Sequence, residues 1–190
     1  MLDQIDLLDK SLFLFLNSFH NATFDVVMSA VSDKLVWIPA YILLVGLVIK
    51  HYPKKSIIII LVSIAFMILA TDQGCNFFKN TVERPRPCQP EANLSPVARI
   101  VAGHCGGAYG FFSAHSANFF AIATLFSSIL LPYYKKIKFI LFPVAFIVAY
   151  SRIYLGVHYP LDVLCGGLYG ALVAKTILYF IRPKIGTTQK

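Results

Sequence analysis

Apolar residues fall in five blocks along the chain, near 35–49, 57–71, 117–134, 139–150 and 161–181, and within each block they run together rather than at amphipathic spacing. Such runs predict helices that span a bilayer, because in hydrocarbon a helix satisfies its own backbone hydrogen bonds. Several blocks are shorter than the roughly 20 residues a bilayer core requires. Polar neighbours such as Asp72, Gln73, Asn76 and Tyr154 must therefore extend the helices inside the bundle. The segment 7–31 differs: it mixes Leu, Phe and Val with Asn17, His20, Asn21 and Asp25, which suits an interfacial amphipathic helix. A sixth span there is the alternative. The predicted fold is all-α, an integral membrane bundle of five helices, or six, preceded by that interfacial helix.

Composition agrees, with 57% hydrophobic and 14% charged residues and a mean hydropathy of +0.69, beyond an ordinary soluble domain. The 190 residues contain no repeat or linker, so one domain, 1–190, is expected. Asp3, Asp6 and Asp9 come first, where a leader would have a basic region, which argues against a cleavable signal peptide.

A net charge of +8 raises the question of a nucleic-acid partner, but the basic residues sort by side of the membrane. Lys50, Lys54 and Lys55 lie between the first two blocks, Lys135, Lys136 and Lys138 between the third and fourth, and Arg182, Lys184 and Lys190 in the tail 182–190. If all are cytoplasmic, parity puts the N-terminus, the 77–115 loop and the 151–160 turn outside. No nucleic acid is then needed to explain the charge. Lys79, Arg84, Arg86, Arg99 and Arg152 remain as an outward minority for which topology supplies no reason. Cys75 and Cys165 sit in or beside apolar blocks as small hydrophobes. Cys88 and Cys105 share the outward loop, either as a disulfide closing Gln89 to His104 or as two free thiols.

Three outward segments carry the candidate chemistry. KNTVERPRP holds Lys79 and Arg86 on a support stiffened by Pro85 and Pro87; Lys79 and Arg84 as mere headgroup anchors are the bland reading. Glu83 and Arg84 flank it, as a mutual ion pair or a headgroup contact. FFSAHSANFF opens the third block with Ser113 at the N-cap and His115 in the first turn, so free amides and the helix dipole offer an anion site. SRIYLGVHYPLD puts Pro160 at the first position of the last helix, His158 just before it and Asp162 in its first turn. Asp162 can then hydrogen-bond one ring nitrogen of His158 and leave the other free as a nucleophile. Taken singly, the first segment reads equally well as a headgroup anchor, the second is better explained by simple capping, and the third is more often a cap, or an ion pair of Asp162 with Arg152. Their shared side is what favours phosphoryl transfer. His104, in the Gly-rich HCGGAYG stretch, and Lys175, which snorkels, carry less weight, and Trp37 and Tyr41 carry none.

The segments resemble the signature of the type 2 phosphatidic acid phosphatase superfamily, K-x6-R-P, then P-S-G-H, then S-R-x5-H-x3-D. Lys79, Arg86 and Pro87 match the first part, Ser113 and His115 half of the second, and Ser151, Arg152, His158 and Asp162 the third. Phe112 and Ala114 stand where the pattern has Pro and Gly; Ala is the smallest residue that keeps the backbone donor there. The resemblance implies that His158 is a nucleophile oriented by Asp162, that His115 is a general acid, and that Lys79, Arg86, Ser113, the Ala114 amide and Arg152 bind phosphate. It implies a hydrolase without cofactor or metal, acting through a phosphohistidine on a membrane lipid phosphate. Size is similar to small bacterial members, which points to undecaprenyl diphosphate or another envelope lipid (phosphatidylglycerophosphate, phosphatidate, a lipid A phosphate), in the inner membrane with the site facing the periplasm or exterior. Haloperoxidases of the superfamily are soluble, unlike this chain. A transporter or scaffold is the competing class, and it would place its polar residues near the bilayer midplane. Oligomeric state is not legible.

Overall fold

A computed structural model describes residues 2–94, 97–101 and 105–186; His104 and Lys190 lie outside them. Seven α-helices are formed: α1 (Leu2–Asn17), α2 (Ala22–Ser32), α3 (Ile38–His51), α4 (Lys54–Val82), α5 (Ala114–Ile129), α6 (Lys138–Tyr154) and α7 (Pro160–Ile181). All five apolar blocks lie in helices, except that the third, 117–134, leaves its helix at Ile129 and ends in a turn. Three stretches, Lys34–His51, Lys54–Val82 and Pro160–Lys184, are long and apolar enough to cross a membrane by themselves. α5 and α6 have 16 and 17 residues, about 24–26 Å at 1.5 Å per residue. Large apolar side chains such as Ile42, Leu61, Phe66, Ile140, Leu168 and Leu172 face outward, so the apolar exterior is that of an integral membrane protein.

α5 is the central helix, packed against α4, α6 and α7. Its tightest neighbour is α7, where glycines let the backbones meet. A Cβ on Gly170 would fall 1.9 Å from the Ala117 carbonyl oxygen, and one on Gly166 would fall 2.5 Å from that of Ser113. The core below them contains Leu125, Phe126, Ile129, Ile60, Met67, Ala174 and Leu178.

Two expectations need correction. The segment 7–31 is not one amphipathic helix: α1 stops at Asn17 and α2 starts anew at Ala22. Asn17 spends its side chain on tertiary bonds, donating to the carbonyls of Arg99, Ile153 and Tyr154 and accepting from the Arg99 amide. Asn21 then caps α2 by accepting from the Phe24 amide at 2.8 Å. The loop is also shorter than 77–115. α4 continues through Lys79 to Val82 and closes at Glu83, in the left-handed region at φ 50°, because Pro85 disfavours helix at the residue before it. α5 begins at Ala114, so residues 83–113 form the connection.

The basic turns gather at one end. Tyr133 Oη donates to the His51 carbonyl, Tyr52 Oη to that of Ile129 and Ser56 Oγ to that of Gly186, which draws the turns near Lys54, Lys135 and Lys184 together. The three motif segments meet at the opposite end.

Candidate active site

Backbone bonds fasten the three segments to one another. The Ser113 amide donates to the Asp162 carbonyl at 2.9 Å, and Ser116 Oγ to that of Val163 at 2.7 Å, so the starts of α5 and α7 are locked side by side. Residues 84–86 pair antiparallel with 108–110 through Arg86 N to Ala108 O and Gly110 N to Arg84 O. Gly110 thereby presses on the site: a Cβ there would lie 2.8 Å from Asp162 Oδ2 and 3.5 Å from His158 Nδ1. Cys88 and Cys105 form a disulfide with Cα atoms 5.6 Å apart.

His158 precedes α7 and is 2% exposed; Asp162, in the first turn, is fully buried. Asp162 Oδ2 faces His158 Nδ1 at 3.3 Å and accepts the Tyr159 amide at 3.0 Å. This contact fixes which nitrogen faces the carboxylate and leaves Nε2 unspoken for. Burial pushes the His158 pKa down to about 4; the hydrogen bond and charge of Asp162 oppose the shift, while the charges of Arg86 and Arg152 reinforce it. At neutral pH the ring is uncharged.

Arg84 does not pair with Glu83. Its guanidinium meets Asp9 at 2.7 Å, Asp6 at 2.9 Å and Asp162 Oδ1 at 3.1 Å, and lies 4.0 Å over the Tyr159 ring. Burial works against its charge, but the carboxylates outweigh burial and hold its pKa above the ordinary value.

The predicted phosphate ligands are arranged otherwise. Lys79 is half-buried near the end of α4, within electrostatic reach of Arg86 and Asp162. Arg86 is buried, donating to the carbonyls of Tyr109 and Cys105. Arg152, on the last turn of α6, donates to Ser32 Oγ and leaves its Nε buried without a partner. None of the three cations pairs with a carboxylate among the described residues. Arg152 does not pair with Asp162, which was one of the alternatives. Ser113 occupies the N-cap of α5, but its hydroxyl makes no cap bond and is buried unpartnered. Ala114 opens the helix beside it. His115, in the first turn, lies within electrostatic reach of Arg152 and His158. All eight predicted residues thus belong to one cluster.

A cleft of about 280 Å³ runs from His115 along α5, walled by Phe119, Ile122, Phe126, Ile64 and Ile68, with Lys34 and Asp72 also lining it. Asn118 in its wall donates to Asp72 at 2.9 Å and accepts from Thr71. Sequence patterns gave no sign of Ser32, Asp6, Asp9 or Gly110 at the site. Asp6 and Asp9 share one face of α1 at i, i+3, which is the one signal that was available for them.

An apolar helical bundle with a recessed cluster of cations, a helix N-terminus and a His–Asp pair defines a membrane-embedded phosphoryl-transfer enzyme. The model of the PAP2 superfamily matches residues 57–185, and the chain belongs to that family. It is similar to the lipid A 4'-phosphatase of Bacteroides thetaiotaomicron, at 34% identity over 97% of this chain and 81% of that protein. Among solved structures it resembles Aquifex aeolicus LpxE (TM-score 0.66, 28% identity, 90% of this chain and 95% of that one). The fold is also that of a PAP2-type phosphatidylglycerolphosphate phosphatase from Bacillus subtilis (TM-score 0.72, 21% identity, 98% and 90%). The protein is a membrane lipid phosphatase, a hydrolase of phosphoric esters.

Proposed function

We propose that the chain is a single domain that removes a phosphate monoester from a lipid of the bacterial envelope, a lipid A phosphate first among the candidates, through a phosphohistidine on His158. The observation that carries the reading is the set of uncompensated groups, Lys79, Arg86, Arg152 and the Ser113 hydroxyl, gathered at the start of α5 beside a neutral histidine. Buried polar atoms without partners, as Arg152 Nε and Ser113 Oγ are, are uncommon in native proteins, and a phosphate dianion supplies them with an acceptor and the cations with a counter-charge.

In the first step His158 Nε2 attacks phosphorus and the bond to the lipid oxygen breaks, with His115 giving that oxygen its proton. Asp162 stabilises the positive charge that forms on the imidazole. Lys79, Arg86, Arg152, Ser113 and the Ala114 amide hold the non-bridging oxygens as charge shifts in the transition state. Water, deprotonated by His115, then displaces His158 from phosphorus and releases inorganic phosphate.

The cleft beside His115 suits an amphiphile whose phosphate enters the cluster while an acyl chain lies against Phe119 and Ile122. The likeness to lipid A 4'-phosphatase favours a glycolipid phosphate over undecaprenyl diphosphate. We place five spans at α3–α7 with α1 and α2 at the interface, the basic turns in the cytoplasm and the site on the outer side of the inner membrane, as the positive-inside rule directs.

Phosphate release by the purified protein, in chelator, from lipid A bisphosphate, undecaprenyl diphosphate, phosphatidylglycerophosphate and phosphatidate tests both class and substrate. Lipid A bisphosphate is expected to turn over fastest, and His158→Ala to lose at least about 1,000-fold in rate. Substantial activity in that variant overturns the nucleophile; failure on all four lipids favours a scaffold.

A further inference from the structure

Arg84 stands outside the phosphate-binding set, yet it has the largest number of ionic partners in the site. Nη2 of its guanidinium takes Asp6 and Nη1 takes Asp9, both from α1, and Nη1 also reaches Asp162 Oδ1 at 3.1 Å. The other oxygen of Asp162 faces His158. Asp9, 4% exposed, spends its second oxygen on the Leu161 amide at 2.9 Å, so α1 also caps the N-terminus of α7. Phe13 of α1 packs edge-on against Tyr159, the ring beneath Arg84.

A chain of contacts therefore runs from α1 through Arg84 and Asp162 to the imidazole. A carboxylate held on one oxygen alone swings about its terminal torsion, which is broad; held on both, it presents Oδ2 in a single direction. An arginine devoted to Asp162 alone would also draw down the negative charge that steadies His158. Sharing the guanidinium with Asp6 and Asp9 limits that draw. Two carboxylates would have sufficed to satisfy Arg84 as an anchor for α1. The third contact reaches the site.

We infer that Asp6, Asp9 and Arg84 form a positioning relay through which the N-terminal helix sets the orientation of the His158 ring by way of Asp162, an assignment that rests on His158 being the nucleophile.

The test uses the full-length protein in lipid nanodiscs and whichever lipid of the panel above is hydrolysed fastest, with Arg84→Gln, Arg84→Lys, Asp9→Asn and His158→Ala. Arg84→Gln is expected to lower kcat on the order of 10- to 100-fold, as small misplacements of reacting groups do. KM and the inhibition constant of inorganic phosphate should stay within about twofold, since the phosphate ligands are untouched. Arg84→Lys should fall between, because one ammonium cannot span three carboxylates. Wild-type kcat in folded Arg84→Gln overturns the relay, as does a loss of phosphate affinity in parallel with kcat, which marks a purely structural anchor. If Arg84→Gln does not fold, Asp9→Asn decides by the same criteria. Activity in His158→Ala removes the nucleophile reading instead, whatever Arg84 does.

Discussion

Arg84 and Arg86 stand two positions apart in the same short RPRP stretch and live in opposite surroundings. Arg84 is met by three carboxylates, and its pKa is held above the ordinary guanidinium value. Arg86 is more buried and, among the described residues, has carbonyl oxygens as its direct partners; burial lowers its pKa, and the more distant charge of Asp162 only partly offsets this. Lys79 and Arg152 likewise pair with no carboxylate among the described residues. A recessed cation without a counter-ion is costly to fold, and three gathered together support the proposed anion site. On the proposed reading the paired arginine positions Asp162, and the unpaired ones receive the phosphate.

The contrast can be broken most directly by neutralising each kind. Lys79→Gln and Arg86→Gln are each expected to lower kcat/KM by roughly 100- to 1,000-fold, the usual loss for a transition-state charge donor. Lys79→Gln should cost under about 1 kcal/mol of stability, since no ion pair is lost. Arg84→Gln should cost about 3–5 kcal/mol, because it strands buried carboxylates. Steady-state kinetics and thermal unfolding on the same preparations check both halves. An Arg84→Gln protein that melts with the wild type erases the distinction.

His158 lies on the boundary between the two groups, and its titration sharpens the comparison. With the folded pKa near 4 and the ordinary value at 6.5, the unfolded chain binds a proton between those limits that the folded chain does not. The stability contributed by the neutral buried ring is therefore complete above about pH 6.5 and is lost progressively as pH falls to about 4. Imidazole NMR should find the inflection near 4, and Asp162→Asn should move it lower still, by removing the group that pulls it upward. An inflection near 6.5 in the folded protein contradicts the electrostatic picture.

The smallest effect concerns the backbone donor. Ala114→Gly keeps the amide in the first turn of α5, so kcat/KM should change by less than about threefold, while the helix loses about 1 kcal/mol to glycine's extra unfolded-state freedom. A large gain in rate would mean that the methyl of Ala114 crowds the phosphate.

The helices and the catalytic segments were legible because each is written locally: the apolar blocks in composition, the His–Asp pair in the i, i+4 spacing around Pro160. Cys88 and Cys105 were legible as candidates, and the bridge has formed. The partners of Arg84 were not. Asp6 and Asp9 lie more than seventy positions away, and acids at a chain start read as solvated charge until α1 is folded against α7. The break at 18–21 was hidden for a related reason, since Asn17 leaves the helix pattern to satisfy distant carbonyls of α6 and the loop. Long-range polar bonds decide such places, and local propensity carries no record of them.

The contact between Gly170 and the Ala117 carbonyl has a consequence well above where it lies. Ser113 and His115 ride on α5, His158 and Asp162 on α7, so the gap between those two helices is the gauge of the phosphate pocket. A single added methyl at 170 would act as a shim, wedging apart the two jaws at a point that never meets the substrate. The tolerance to which this enzyme is machined is thus set away from the site, in a stretch of helix whose residues have no chemistry of their own.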